Sequence, residues 1–526
     1  MQKKTGIQLI HLLLGVAIGM LVTLSIVKYL ESRHRLKARY QDWAKLNLIL
    51  DMVEKNYVDT IDMEAVTDAA VIAALSKLDP HSLYLPPVQL TASQEELAGN
   101  FDGIGIQFNV PNDTAVVLEV ISGGPSEKAG LLQGDRLLKV DDQVIAGVNF
   151  PQDSMVRRMR GPSGSRVTIL AKRGNEEIPF EIIRGKIPVH SVDASFIVRD
   201  GIGYIRLSKF SRSTYTECHQ AAEDLVDRGM KHLILDLRDN TGGYLDQALK
   251  LSNDFLEKGN VIVYLEGLHR SREMFKADGR GSFKDMGLTV LINENSASAS
   301  EIVAGSIQDN DRGQVIGRRS FGKGLVQEEY DFTDHSGLRL TVARYYTPSG
   351  RCIQKPYSSD YEYDIYNRYA AGEIFSADSV KLNTSDLHYT RGGRSVYGGG
   401  GIMPDVFVPM DTTRATTFYQ QCNRKATQVR FAASIFDRYQ KRLSAIAKYP
   451  EMDRFFADVD VAREFRTFAS REDGITATQK EWEDTLPYLL PQLQALVSRY
   501  SKLGENAFYK YYLPVDNTVK VALKGI

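Results

Sequence analysis

The segment His232-Leu233-Ile234-Leu235-Asp236-Leu237 is apolar except for its first residue and Asp236, and it constrains the fold more than any other stretch. A strand with one wet face alternates polar and apolar residues. A nearly unbroken run fits a strand covered on both faces, the habit of sheets packed between layers. Its neighbours agree. Gly203–Leu207 reads as a strand and Thr214–Gly229 as a helix closed by glycine. Asp246–Lys258 reads as a helix, and Asn260–Leu265 and Leu288–Ile292 read as strands. The alternation starts after Ile187-Pro188 and predicts an α/β core over 187–410.

Other textures flank this core, and 526 residues is a length for about two to four domains. From Phe101 the chain turns to short β runs: Gly103–Phe108, Ala115–Val120, Gly134–Val140 and Arg166–Ala171, with a helix-like Ser126–Leu131 and a turn at Gly161–Gly164. A β module over 96–186 is expected. Residues 36–78 read as helical up to the break at Asp79-Pro80, within an N-terminal region, 36–95, that completes the core. Beyond Pro409 the chain is helical and charged, giving an extension over 411–526. Its clearest pieces are Phe431–Tyr449 and Leu486–Tyr500, the second interrupted by Pro491.

At the other end, Lys3 and Lys4 precede an apolar run, Ile7–Val27, long enough at about 30 Å to span a hydrocarbon core. Residues 1–35 are therefore read as a membrane anchor. The rival is a cleaved signal peptide, whose best small-x-small site is Thr23-Leu24-Ser25. Lys28, Arg33, Arg35, Lys37 and Arg39 follow the run, so the positive-inside rule alone does not favour export.

Several function classes drop out. A net charge of −1 gives no field for nucleic acid. Three cysteines, Cys218, Cys352 and Cys422, make no disulfide framework. The nine histidines show no metal-ligand spacing, so neither metal nor cofactor is expected.

Three segments of the α/β region carry chemistry: Leu237–Gly243, Asn293–Ile302 and Gly317–Gln327. The second sets small hydroxyl residues where a strand gives way to a helix. There a serine oxygen meets the positive end of the dipole and free N–H groups. Read alone, Ser298 with Glu301 is equally a helix-capping box. The third is a near match to a phosphate-binding loop, Gly317-x4-Gly322-Lys323. Position 324 is Gly where Ser or Thr would ligate Mg²⁺, and Leu325–Tyr330 reads as a strand rather than the required helix.

Together the three segments resemble the signature of the carboxy-terminal processing peptidases, or tail-specific proteases. Shared features include the 25-residue step from Ser298 to Lys323 and the further four to Gln327. They extend to Leu75–Ser82, Tyr345–Arg351 and Gly398–Asp405. The β module resembles a PDZ domain, with Gly103, Ile104, Gly105 and Ile106 as its carboxylate-binding loop. The resemblance implies a multi-domain α/β protein, with a crotonase-like serine-protease core, an inserted PDZ domain, an N-terminal transmembrane helix and a helical C-terminal extension.

It implies Ser298 as nucleophile, Lys323 as general base and Gln327 as the group that orients the lysine. N–H groups of Gly242 or Gly243 and of Ala299 would meet the oxyanion. Arg160 matches a position that in some relatives links the PDZ module to the active site. Ser296 and Ser300 are rivals to Ser298 separated only by the family spacing. A lysine base must be uncharged, which demands a dry site. The expected substrates are proteins or peptides with apolar C-termini, cut in the periplasm or another extracytoplasmic space by a membrane-anchored enzyme. The extension could bind an adaptor, drive homo-oligomerisation or cover the site. The alternative function is a non-catalytic PDZ scaffold for C-terminal peptides.

Overall fold

The computed structural model describes Met20, Thr23 and residues 44–526, apart from 358–359, 382 and 413–415. The expected anchor, Ile7–Val27, lies outside the described residues but for Met20 and Thr23. Among the described residues no helix is long and apolar enough to cross a membrane.

Residues 1–84 and 85–526 form two units. In the first, the single helical region expected over 36–78 is divided. Residues 44–56 are helical, and α1 (Met63–Leu75) starts afresh. Asp62 causes the restart, its carboxylate accepting from the N–H groups of Glu64 and Ala65 at 3.0 and 3.2 Å.

The second unit opens with α2 (Pro87–Ala98) and β1 (Asn100–Gly103). The expected β module follows: β2 (Ile106–Asn109), β3 (Ala115–Val120), α3 (Pro125–Ala129), β4 (Arg136–Val140), α4 (Gln152–Met159), β5 (Arg166–Arg173) and β6 (Glu176–Ile183). The strands pair antiparallel in sequence order around Ile104, Val117, Leu137, Met155, Val167, Ile169 and Ile182. β1 pairs antiparallel with β7 (Gly185–Pro188), so the module leaves and rejoins the core through one two-stranded root.

The core sheet is built from β8 (Val192–Arg199), β9 (Ile202–Leu207), β10 (His232–Asp236), β13 (Gly287–Ile292), β14 (Gln314–Gly317) and β17 (Val406–Phe407) in that order. Only β8–β9 is antiparallel. Helices α5 (Thr214–Asp227), α6 (Leu245–Asn253) and α7 (Ala299–Asp309) pack on one face, burying Leu233, Leu235, Val290, Ile302 and Val303. Each such side chain contributes about 1.5–3 kcal/mol. A smaller antiparallel sheet lies alongside: β11 (Val261–Gly267), β12 (Arg270–Lys276), β15 (Leu325–Asp331) and β16 (Gly337–Tyr346). Position 325 onward is thus a strand, as the argument against a phosphate loop requires.

The other face of the core sheet is covered from the far end of the chain. Leu513 and, on α10 (Asn517–Gly525), Val519 and Ala522 pack on Tyr204, Ile234, Leu291 and Ile316. The remainder of the helical C-terminal region has its own core, formed by Phe431 and Phe436 of α8 (Thr427–Leu443), Leu489 and Leu493 of α9 (Gln479–Ser498), and Phe455 and Phe465. The expected interruption at Pro491 is absent. Helix α9 runs through both Pro487 and Pro491, where packing of Leu489 and Leu493 outweighs about 3 kcal/mol of intrinsic cost per proline.

Candidate active site

Three loops meet beyond the carboxyl ends of β10, β13 and β14, the edge of a parallel sheet where ligands bind. Asn240, fully buried, ties the first to its surroundings. Its Nδ2 donates to the Leu207 carbonyl at 2.8 Å, and its Oδ1 accepts from the Gly242 N–H at 2.9 Å. Its own carbonyl accepts from the Ala297 N–H at 3.0 Å and the Ser300 hydroxyl at 2.9 Å. Asp239 secures the same junction, accepting from Asn293 Nδ2 at 2.8 Å and Asn295 Nδ2 at 2.9 Å.

Ser298 stands immediately before α7 with φ 54° and ψ −113°, a conformation that costs a non-glycine residue about 1–3 kcal/mol. The surrounding bonds hold it there. Ser296 and Ser300 are fully buried, and their hydroxyls donate to the carbonyls of Leu237 at 2.8 Å and Asn240 at 2.9 Å. Of the three serines only Ser298 is part-exposed.

The link between the second and third loops is Glu301, read from the sequence only as a helix cap. Its carboxylate is fully buried. Oε2 accepts from the N–H groups of Ser298 and Lys323, both at 2.9 Å. Oε1 accepts from the Ser320 hydroxyl at 2.5 Å and the Gly322 N–H at 2.8 Å. The backbone nitrogens of Ser298 and Lys323 are therefore no farther apart than two hydrogen bonds end to end. Burial raises the Glu301 carboxyl above its ordinary range, against the pull of these four donors.

Tyr345 spans the same gap from behind, its hydroxyl 3.1 Å from the Ser298 carbonyl oxygen and in hydrogen-bond contact with that of Lys323. Burial pushes its phenol far above the usual value, so it remains a donor. Lys323 Nζ donates to Gln327 Oε1 at 3.0 Å, across the start of β15. Sequence reasoning passed over Asn240, Ser320 and Tyr345. All three lie within segments singled out above, but nothing in their spacing pointed inward.

Gly242 lies against the serine turn and Gly243 against Phe210, with φ of +100° and +145°. A Cβ on Gly242 would stand 2.7 Å from Ser298 Cβ, and one on Gly243 2.1 Å from the Phe210 oxygen. No other residue type fits either place. Cys218, His219 and His335, also able to do chemistry, have other settings. Cys218 is buried on α5, its thiol raised to about 12 by burial, and His219 Nδ1 contacts Asp254 Oδ2 at 2.6 Å. His335, at φ +67°, turns the chain between β15 and β16.

In the PDZ domain, Gly103, Ile104, Gly105 and Ile106 line one cavity of about 420 Å³ together with Val156 and Met159 of α4. Arg160, just past α4, also lines it. Its guanidinium lies 4.4 Å from the Phe101 ring centre and 3.4 Å from Glu95 of α2.

The profile of peptidase family S41 matches residues 201–365, and that of the PDZ domain matches residues 103–183. A carboxy-terminal-processing protease of Bartonella bacilliformis is 35% identical over 381 residues, covering 71% of this chain and 85% of that protein. A "probable CtpA-like serine protease" of Staphylococcus aureus strain N315 is 34% identical over 352 residues, 66% of this chain and 70% of that protein. A solved photosystem II D1 C-terminal processing protease is 26% identical across 70% of this chain and 86% of that one, with a TM-score of 0.37. The profile spans the glycine loop, the serine turn and the lysine loop, and with the Bartonella relative 35% identical and covered over 85% of its length, this serine peptidase belongs to peptidase family S41.

Proposed function

We propose that the chain is an endopeptidase that cuts polypeptides recognised by apolar C-terminal tails, with Ser298 as nucleophile, Lys323 as general base and Gln327 orienting the amine. One observation carries this reading: a single buried carboxylate oxygen accepts from the backbone of both Ser298 and Lys323. A neutral lysine takes the serine proton as the hydroxyl attacks a peptide carbonyl, and returns it to the leaving amine. Gln327 suits the task because it accepts a hydrogen bond without the negative charge that would hold the proton on the amine. The same lysine then activates the water that releases the acyl group.

The oxyanion needs N–H donors already aimed at it. Ala299, the first residue of α7, supplies one, since an N–H at that position has no partner inside its helix. The Gly242 N–H is spent on Asn240, which leaves the Gly243 N–H as the second. Gly242 is then needed for its lack of a side chain. Gly242→Ala should lower kcat/KM by about 100-fold, because its Cβ displaces the Ser298 turn by a fraction of an ångström or more. Steady-state kinetics on folded protein, verified by circular dichroism, would check this; near-normal turnover would remove the steric argument.

Substrate tails would seat an apolar terminal residue against Ile104, Val156 and Met159, with the carboxylate at the Gly103–Ile106 loop and the peptide pairing with β2. Arg160 is proposed to report occupancy. From it, contacts pass through Glu95 on α2, and Gln94 Nε2 on the same helix reaches Asp331 of β15 at 3.3 Å, on the strand that carries Gln327. Anchoring by Ile7–Val27, with the catalytic part extracytoplasmic, is proposed on the length of that apolar run.

The test is an unstructured polypeptide ending in apolar residues, incubated with the full chain and its fragments weighed by mass spectrometry. Internal cuts are expected, and slower ones when the terminal carboxylate is amidated. An intact polypeptide after prolonged incubation would refute the proposal.

A further inference from the structure

The tail groove is not built by the PDZ domain alone. The cavity beside the Gly103–Ile106 loop is also lined by Arg499, which ends α9, and by Glu505 on the helix Gly504–Tyr512. The two are locked together, Arg499 Nε lying 2.7 Å from Glu505 Oε1 and Nη2 donating to Oε2 at 3.0 Å. The guanidinium is held 4.0 Å from the Phe508 ring centre. Yet 28% and 29% of the two side chains remain exposed, so a ligand can reach them.

Their approach is fixed by a real interface. Gln440 of α8 donates to the Gln133 carbonyl at 3.3 Å, and Gln133 Nε2 donates to the Leu118 carbonyl at 2.7 Å. Arg136 and Asp437 form an ion pair, and Leu118 of β3 belongs to the apolar core of the C-terminal helices.

Strand alternation says which part of a tail meets this wall. Along β2, Ile106 and Phe108 pack inward on the PDZ core, while Gln107 and Asn109 face outward. A peptide strand laid on β2 repeats that period. Its last residue points inward to Ile104, Val156 and Met159, and its penultimate residue points outward. The inward side is filled by the domain's own core, so Arg499 and Glu505 can stand only on the outward side.

The charge there is not balanced. Glu505 neutralises Arg499 and Glu95 pairs with Arg160, the other cation of the lining, while Glu119, the partner of Gln107 across β2–β3, adds a further carboxylate. Burial, and next the charge of Glu505, raise the Glu119 carboxyl above its usual range; His190 is the cation that acts against this.

We propose that the C-terminal helices complete the tail groove, and that Arg499 and Glu505 select the penultimate residue of the substrate, favouring a cationic side chain over an anionic one. This rests on reading the cavity as the tail site. The experiment uses the full chain carrying Ser298→Ala, which binds without cutting, and fluorescence anisotropy. The peptides differ only at the penultimate position, Lys, Ser or Asp, before an apolar last residue; an amidated copy of each is the control.

Lys should bind about fivefold tighter than Asp, the worth of one part-exposed charge pair. Glu505→Gln, which keeps the shape, should erase that ratio, and Arg499→Ala, which leaves Glu505 without its cation, should widen it in the same assay. An unchanged Lys-to-Asp ratio in Glu505→Gln overturns the proposal while leaving the tail site standing, provided amidation still weakens binding. Equal binding of free and amidated peptides would overturn the tail site itself, and this proposal with it.

Discussion

Ser298→Ala and Lys323→Ala are each expected to remove about 10⁴-fold or more of kcat/KM on a tailed, unstructured polypeptide, because the proposed nucleophile and base would act as one unit. Lys323→Arg should be equally inactive. A guanidinium keeps the positive charge but cannot give up its proton at any working pH, so this variant separates a base from a mere cation. The pH–rate profile of the wild type should rise through one ionisation that the Lys323 variants lack.

Ser296→Ala is the informative control. Its hydroxyl donates to the Leu237 carbonyl and accepts from the Asn293 N–H, both buried. Removing it should cost about 1–3 kcal/mol of stability while the chemistry survives below the unfolding transition. Turnover by the Ser298→Ala protein equal to wild type would place the nucleophile elsewhere, whereas no turnover by either protein would leave a scaffold that binds C-terminal peptides through Gly103–Ile106.

The three candidate loops could be singled out because each segment directly follows an apolar strand in the sequence, and the structure brings them together at those strand ends. His232–Leu237 announced a strand with two dry faces, and both faces are indeed covered. What covers the second face was not legible. Val519 and Ala522 lie nearly three hundred residues beyond β10, and an amphipathic helix states that it must bury a face without naming the surface. Local rules also misjudged α9, since tertiary packing around Leu489 and Leu493 overrides the preference of proline. The glycine pair was ambiguous for a different reason. Gly242 and Gly243 are equivalent as letters; the bond from the Gly242 N–H to Asn240 and the different neighbours they face, Ser298 and Phe210, tell them apart. The capping-box reading of Ser298 and Glu301 was right in geometry and too small in scope: Glu301 Oε2 takes the Ser298 N–H as a cap does, and also the Lys323 N–H from another loop.

That double duty makes Glu301 the residue whose substitution should disturb the site most without touching a reacting group. Glu301→Ala leaves four donors, the N–H groups of Ser298, Gly322 and Lys323 and the Ser320 hydroxyl, two of them buried and two part-buried, without this acceptor. At about 1–3 kcal/mol for each unmet group, it should fold poorly or not at all. Glu301→Gln is the sharper experiment. If its amide nitrogen replaces Oε1, Gly322 loses its acceptor; if it replaces Oε2, Ser298 and Lys323 both do. Either rotamer sets the serine turn and the lysine loop adrift by a fraction of an ångström, so kcat should fall by about 100-fold. Affinity for a C-terminal peptide, measured by anisotropy, should not change, because no atom of the groove touches Glu301. A purely structural role would lower the melting temperature yet leave kcat intact when assayed well below it. Wild-type kcat in a folded Glu301→Gln enzyme would mean that Ser298 and Lys323 are brought together by something other than this shared carboxylate.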